Sequence, residues 1–186
     1  MRKVIMLNRI SLDGYFAGPN GELDWSIPDL ELDKDVHQIG SADTALFGRI
    51  TYQLFESYWP HALENPSAPK EERKTAEELN QMTKVVFSKT LQTVTWENSR
   101  LVSGDLTGEV SKLRQGNGSD ILIFGSGTIV QQLTNAGLID EYVIIVTPII
   151  LGAGKLLFKD ADRINLRLIT AKQYQSGNAM LHYKVV

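Results

Sequence analysis

The chain has 186 residues, enough for one domain and short of two. Its 42% hydrophobic and 22% charged residues exclude a disordered, collagen-like or coiled-coil polypeptide. With no cysteine and only three histidines, a disulfide framework, a thiolate nucleophile and any cysteine-held zinc or iron–sulfur centre are ruled out, and no metal site is expected. The 19 Lys+Arg against 22 Asp+Glu leave a net charge of −3, without the basic excess of a nucleic-acid binder.

From the N-terminus, Val4-Ile5-Met6-Leu7 opens a strand over residues 4–8, and Asn8 and Arg9 end that apolar run too early for a signal peptide. No run approaches the roughly 20 apolar residues of a membrane span, so a cytoplasmic protein without a membrane partner is expected. A long loop over 9–30 precedes a helix over 32–40, a strand over 44–48 and a helix over 50–58. In that second helix Ile50, Leu54 and Tyr58 stand four apart on one face. A second long loop, 60–70, holds three of the six prolines; loops of this length in a domain are more often functional than idle. A polar helix over 71–81 leads into strands over 84–88 and 93–96, a short helix over 107–114 and a strand over 121–125. A helix over 128–136 then stops at Gly137. Strands over 141–147, 166–174 and 180–186 complete the chain. The last two mix apolar and polar residues and turn at Ser176-Gly177-Asn178, as an antiparallel pair does. The alternation is that of a single α/β domain, 1–186, with a mainly parallel sheet whose central strands are apolar on both faces.

Three strand-to-helix or strand-to-loop junctions carry chemistry. Phe124-Gly125-Ser126-Gly127-Thr128 offers free N–H groups at a helix start to a phosphate, or is simply a tight turn. Val130 stands where a dinucleotide fingerprint has its third glycine, so a standard Rossmann motif is not expected. Gly48-Arg49-Ile50-Thr51 sets an arginine fork and a hydroxyl at a second helix start, suited to phosphate or to a solvated cap. Ser88-Lys89-Thr90 ends a third strand, as a ribose-phosphate contact or an ordinary surface turn. Since ligands of open α/β sheets bind beyond the carboxyl ends of the strands, all three are expected to meet one multiply phosphorylated molecule. His37, His61 and His182 are scattered over a helix, a loop and a strand, and are not expected to share a metal.

The chain resembles the dihydrofolate reductase-like superfamily, most closely the reductase domain of the bifunctional deaminase-reductase of riboflavin biosynthesis. The resemblance spans nearly the whole sequence. It rests on Ser11-Leu12-Asp13-Gly14-Tyr15-Phe16-Ala17, on Trp25 with Asp35-Val36-His37, and on Ala42-Asp43-Thr44-Ala45-Leu46-Phe47-Gly48-Arg49-Ile50-Thr51-Tyr52. It continues through Ser88-Lys89-Thr90, Phe124-Gly125-Ser126-Gly127 and Thr147-Pro148-Ile149-Ile150-Leu151-Gly152-Ala153-Gly154. It implies a mainly parallel sheet flanked by helices, antiparallel C-terminal strands, and NADPH. By motif position Gly48, Arg49 and Thr51 would meet cofactor phosphates, Ser88 and Lys89 the 2′-phosphate, and Gly125, Ser126, Gly127 and Thr128 the pyrophosphate. Phe16 and Ala17 would border the nicotinamide.

For the substrate, Phe16, Trp25 and Asp13 are the candidate contacts, with turn formation the alternative for Asp13 and core packing for Trp25. Among Asp29, Glu31, Asp33 and Asp35, Asp29 is chosen as proton donor; its alternative is a helix N-terminal acid. A deaminase domain is not expected beside this chain. The expected function is NADPH-dependent reduction of a small pterin-, pyrimidine- or flavin-precursor-like heterocycle by a homodimer. The competing reading is a nucleotide-binding regulatory module with little or no turnover.

Overall fold

The computed structural model describes all of residues 1–186. In chain order the elements are β1 (Val4–Ser11), β2 (Tyr15–Ala17), α1 (Leu30–Val36), β3 (Ala42–Gly48) and α2 (Arg49–Glu56). After a single 3₁₀ turn at Ala62–Glu64 follow α3 (Lys70–Gln81), β4 (Thr83–Phe87), β5 (Ser99–Val102), α4 (Leu106–Gln115), β6 (Asp120–Phe124) and α5 (Gly127–Asn135). The chain ends with β7 (Glu141–Thr147), β8 (Lys155–Leu156), β9 (Leu166–Gln173) and β10 (Ala179–Val185). Eight strands form one sheet in the order β5-β4-β3-β6-β1-β7-β10-β9, and β2 pairs with β8 in a separate two-stranded ribbon. The first six of that order run parallel; β10 is antiparallel to both β7 and β9.

The apolar runs are continuous because successive side chains point to opposite faces and both faces are covered. Val4 and Met6 of β1 join Ile121 and Ile123 of β6 under α4 and α5, with Val110, Val130 and Leu133. Ile5 faces the other way, toward Leu32 of α1, Val143 and Met180. Phe47, Tyr52, Leu79, Val86 and Trp96 close the β3–β4 end of that second face.

Two expectations need correction, and one helix face finds its use. Residues 93–96 form no strand: Trp96 is buried against Phe47 and Tyr52, and its indole N–H donates to Asn80 Oδ1 at 2.7 Å. The outermost strand is β5, four half-buried residues with a charge at Arg100, which lacks the apolar signature because an edge strand has one neighbour. The segment 9–30 is less of a loop than expected, since β1 runs on to Ser11 and β2 follows. The Ile50/Leu54/Tyr58 face does not pack on the sheet: these side chains are 63%, 49% and 50% exposed, and Tyr52 and Phe55 make the inward contact. No helix is long and apolar enough to cross a membrane.

Candidate active site

From β3 the chain moves outward to β4, whereas from β6 it crosses β1 to reach β7. Neighbouring parallel strands whose connections diverge leave a crevice at their carboxyl ends, the usual ligand position in such sheets. Here it is a cleft of about 780 Å³. Gly48 and Thr51 after β3, Ser88 and Lys89 after β4, and Gly125, Ser126, Gly127 and Thr128 after β6 all line it, so the three junctions read from the sequence converge.

The turn after β6 is built by two consecutive left-handed residues, Gly125 at φ +55° and Ser126 at φ +57°. Ser126 Oγ accepts the Gly48 N–H at 2.7 Å and donates to Thr51 Oγ1 at 2.9 Å, clamping the β3 and β6 turns together. Asn8, buried on β1, reaches the Gly125 carbonyl at 3.4 Å from the other side. Gly127 is required by close approach: a Cβ there would lie 2.6 Å from the Phe16 ring. Neither α2 nor α5 has a side-chain cap, so their first N–H groups and positive dipole ends are left for a ligand. The helices α1 and α4, by contrast, are capped by Asp29 and Asp105.

The charged side chains of the lining are Arg9, Lys89 and Lys155, with no aspartate or glutamate. The remaining walls are largely apolar: Phe16, Leu23, Trp25, Ile50, Leu54, Phe55 and Phe124. The outward face of α2 thus forms one lip of the cleft, which accounts for its exposure. An anion with a broad apolar body suits these walls, and the group expected here, a phosphorylated dinucleotide, has that chemistry.

Phe16, Ala17 and Trp25 line the cleft, and the Trp25 indole N–H is fixed by the Glu22 carbonyl at 3.1 Å. Three expected site residues do not line it. Asp13 accepts the N–H groups of Leu151 and Gly152 at 3.1 and 2.8 Å, tying the 149–154 loop to the turn between β1 and β2. Asp29 caps α1, accepting from Glu31 and Leu32 N–H at 3.0 Å each, and hydrogen bonds from Ser176 first and from that helix start hold its carboxyl below the usual range. A carboxylate so held keeps its charge at neutral pH and is a poor acid. Arg49 is exposed on α2, its guanidinium 3.4 Å from Gln53 Oε1. Residues that sequence reasoning passed over are Asn8, Arg9, Gln132, Lys155 and the Ser103–Gly104 turn after β5. Asn8 and Arg9 had a signal: polar residues closing an apolar parallel strand at its carboxyl end.

The histidines each have local partners: His37 with Glu78 and Thr75, His61 with Glu64, His182 with Glu141. No three His, Asp or Glu side chains are grouped to hold a metal ion.

Comparison with known proteins agrees with this architecture. Residues 2–181 match the RibD C-terminal domain family. YyaP of Bacillus subtilis (strain 168) is 34% identical over 186 residues, covering 98% of this chain and 94% of that protein. A Shewanella sp. PV-4 protein assigned to riboflavin biosynthesis superposes with a TM-score of 0.72 at 24% identity, covering 100% of this chain and 99% of that one. Dihydrofolate reductase from Enterococcus faecalis, complexed with NADP(H), superposes with a TM-score of 0.66 at 12% identity over 98% of this chain and 96% of its own. The chain has the dihydrofolate reductase-like fold and belongs to the RibD C-terminal domain family.

Proposed function

We propose that this protein is an NADPH-dependent reductase of a small heterocyclic substrate. The observation that carries the reading is the acid-free cleft on which the uncapped starts of α2 and α5 open. The family match and the NADP(H) complex of the Enterococcus faecalis enzyme support the same cofactor. Gly48, Thr51 and the 125–128 turn would hold the pyrophosphate through backbone N–H groups, while Ser88 and Lys89 would take the 2′-phosphate. Phe16, packed on Gly127, and Ala17 would border the nicotinamide. Bound there, NADPH supplies the hydride. Since no carboxylate lines the cleft, the proton that completes reduction comes from solvent rather than from Asp29.

The same absence favours the second reading, a nucleotide-binding module with little turnover. Oxidation of NADPH, followed at its reduced-nicotinamide absorbance with a panel of pterins, pyrimidines and flavins, separates the two: decay with at least one acceptor is expected. Tight binding without decay across the panel would leave the module.

The homodimer is proposed to form along β9, the edge strand of the sheet, where Leu166, Leu168 and Ile169 are 37%, 50% and 47% exposed and the outer edge has no partner strand. Light scattering at twice the chain mass is expected, and a monomer would remove the proposal.

A further inference from the structure

Leu7 of β1 and Phe124 of β6 are register partners in the sheet, and each lines two spaces at once. On one side is the strand-end cleft. On the other, between α1, α3 and the sheet, lies a second cavity of about 700 Å³. Register partners of a parallel pair point to the same face, so Leu7 and Phe124 form a floor common to both. Only one residue outside the sheet lines both spaces, Phe55 near the end of α2. It follows Tyr52 by three residues, and the Trp59 N–H donates to its carbonyl at 2.9 Å, so the three aromatic side chains share one side of this helical segment.

The Phe55 ring stands on that floor. Its centroid is 5.6 Å from Phe124 at a tilt of 41°, 5.2 Å from Phe47, and 6.2 Å from Trp59, which lines the second cavity. These are the separations of packed aromatic rings, and nothing passes between Phe55 and Phe124. The partition is thin all the same. Burial lowers the Arg9 pKa, and Asp33 is the stronger of the two carboxylates that oppose this, although Arg9 lines the cleft and Asp33 the second cavity.

Size gives the partition a consequence. One drug-sized ligand takes a site of roughly 300–1,000 Å³. The cleft, at about 780 Å³, has to hold a dinucleotide and an acceptor together, so the acceptor has little room. Further space on this face lies behind Phe55, in a cavity whose lining has no lysine or arginine. There Asp43 is paired with Arg2 and Glu78 with His37, which leaves Asp33 to meet whatever enters.

We propose that Phe55 is a specificity-determining residue that limits the length of the acceptor. Its ring closes the cleft against the second cavity, so the acceptor is a compact molecule with no extension toward α3, and a smaller residue at this position admits one whose tail ends in an ammonium group. This rests on the reductase reading of the cleft and adds a size limit to it.

The test titrates full-length protein saturated with NADP⁺ with two fluorescent probes that share one ring system: dansylamide, and dansylcadaverine, which adds a pentyl chain ending in an ammonium group. The ratio of the two affinities is read within each protein, so a general loss of affinity in a variant cancels. In the wild type dansylcadaverine is expected to bind no better than dansylamide. In Phe55→Ala it should bind at least about tenfold more tightly than dansylamide, with Phe55→Leu between the two. A ratio in Phe55→Ala equal to that of the wild type, or a wild type that already prefers dansylcadaverine tenfold, would overturn the assignment. Should Phe55→Ala fail to melt cooperatively, Phe55→Leu decides, and a wild-type ratio there overturns it. Where the wild type binds neither probe, saturable binding of dansylcadaverine to Phe55→Ala supports the partition and its absence overturns it. If NADP⁺ does not bind, the cofactor reading fails separately, and the same ratios on the free protein still decide the role of Phe55.

Discussion

Two cavities of similar size lie on either side of a wall made by Leu7, Phe55 and Phe124, one of about 780 Å³ and one of about 700 Å³. They differ in sign. The cleft at the strand ends has Arg9, Lys89 and Lys155 and no carboxylate, whereas the cavity between α1, α3 and the sheet has Asp33, Asp43, Glu78 and His37 and no lysine or arginine. In the second cavity most charges are already answered: Asp43 by Arg2 and the Ser119 N–H, and Glu78 by His37 at 2.8 Å. Asp33 alone has neither a hydrogen bond nor an ion pair, and burial raises its carboxyl above the usual range. A net charge of −3 thus says little about which ligand a site takes, because a few side chains and two helix dipoles set the local potential.

Gly125→Val should blur the contrast most strongly. It forces a β-branched residue to φ +55° and drives a Cβ within 3.0 Å of Thr51 Oγ1, so NADPH affinity is expected to fall by about a hundredfold, ~2.7 kcal/mol, in calorimetry. Lys89→Ala removes a cation from the acid-free side, and the preference for NADPH over NADH should drop about tenfold, less at high salt; Arg49→Ala should do much less. Ser126→Ala cuts the clamp between the two turns and leaves the Gly48 N–H without its acceptor, a loss of about 1 kcal/mol in urea unfolding.

Asp29→Ala should also cost about 1 kcal/mol, as a lost helix cap, yet leave turnover intact; a collapse of kcat would restore Asp29 as the acid. Because its folded pKa is lowered, the Asp29 contribution is complete above the unfolded carboxyl value and is lost as pH falls through the folded one. For Asp33 the sign is opposite. Its folded pKa is raised, so stability declines as pH climbs from the unfolded value to the folded one, and Asp33→Asn should give a small rise in Tm at neutral pH and remove that slope.

The inner strands were legible because burial on both faces writes a continuous apolar run, as in Tyr142-Val143-Ile144-Ile145-Val146 of β7, and the glycine turns were legible because they interrupt such runs. β5 was not: an edge strand with one neighbour needs no apolar run, and Trp96, buried beside it, drew the strand to the wrong segment. The Ile50/Leu54 stripe has helical period whether it faces a core or a ligand, so periodicity marked the face without telling its use. Asp29 and Arg49 were chosen by motif position. Their side-chain directions depend on where α1 and α2 begin, a matter of one or two residues that local sequence leaves open. Arg9 and Asn178 are 169 positions apart and meet only through the β1-β7-β10 pairing, a contact that no local pattern announces.

The most direct test of the acid-free cleft as a dinucleotide site is calorimetric titration of the full-length protein with NADPH and with NADH at low and high salt. Saturable binding of one NADPH per chain is expected, about tenfold tighter than NADH at low salt, with the gap narrowing as salt rises. No binding of either nucleotide, or equal and salt-insensitive affinities for the two, would contradict it.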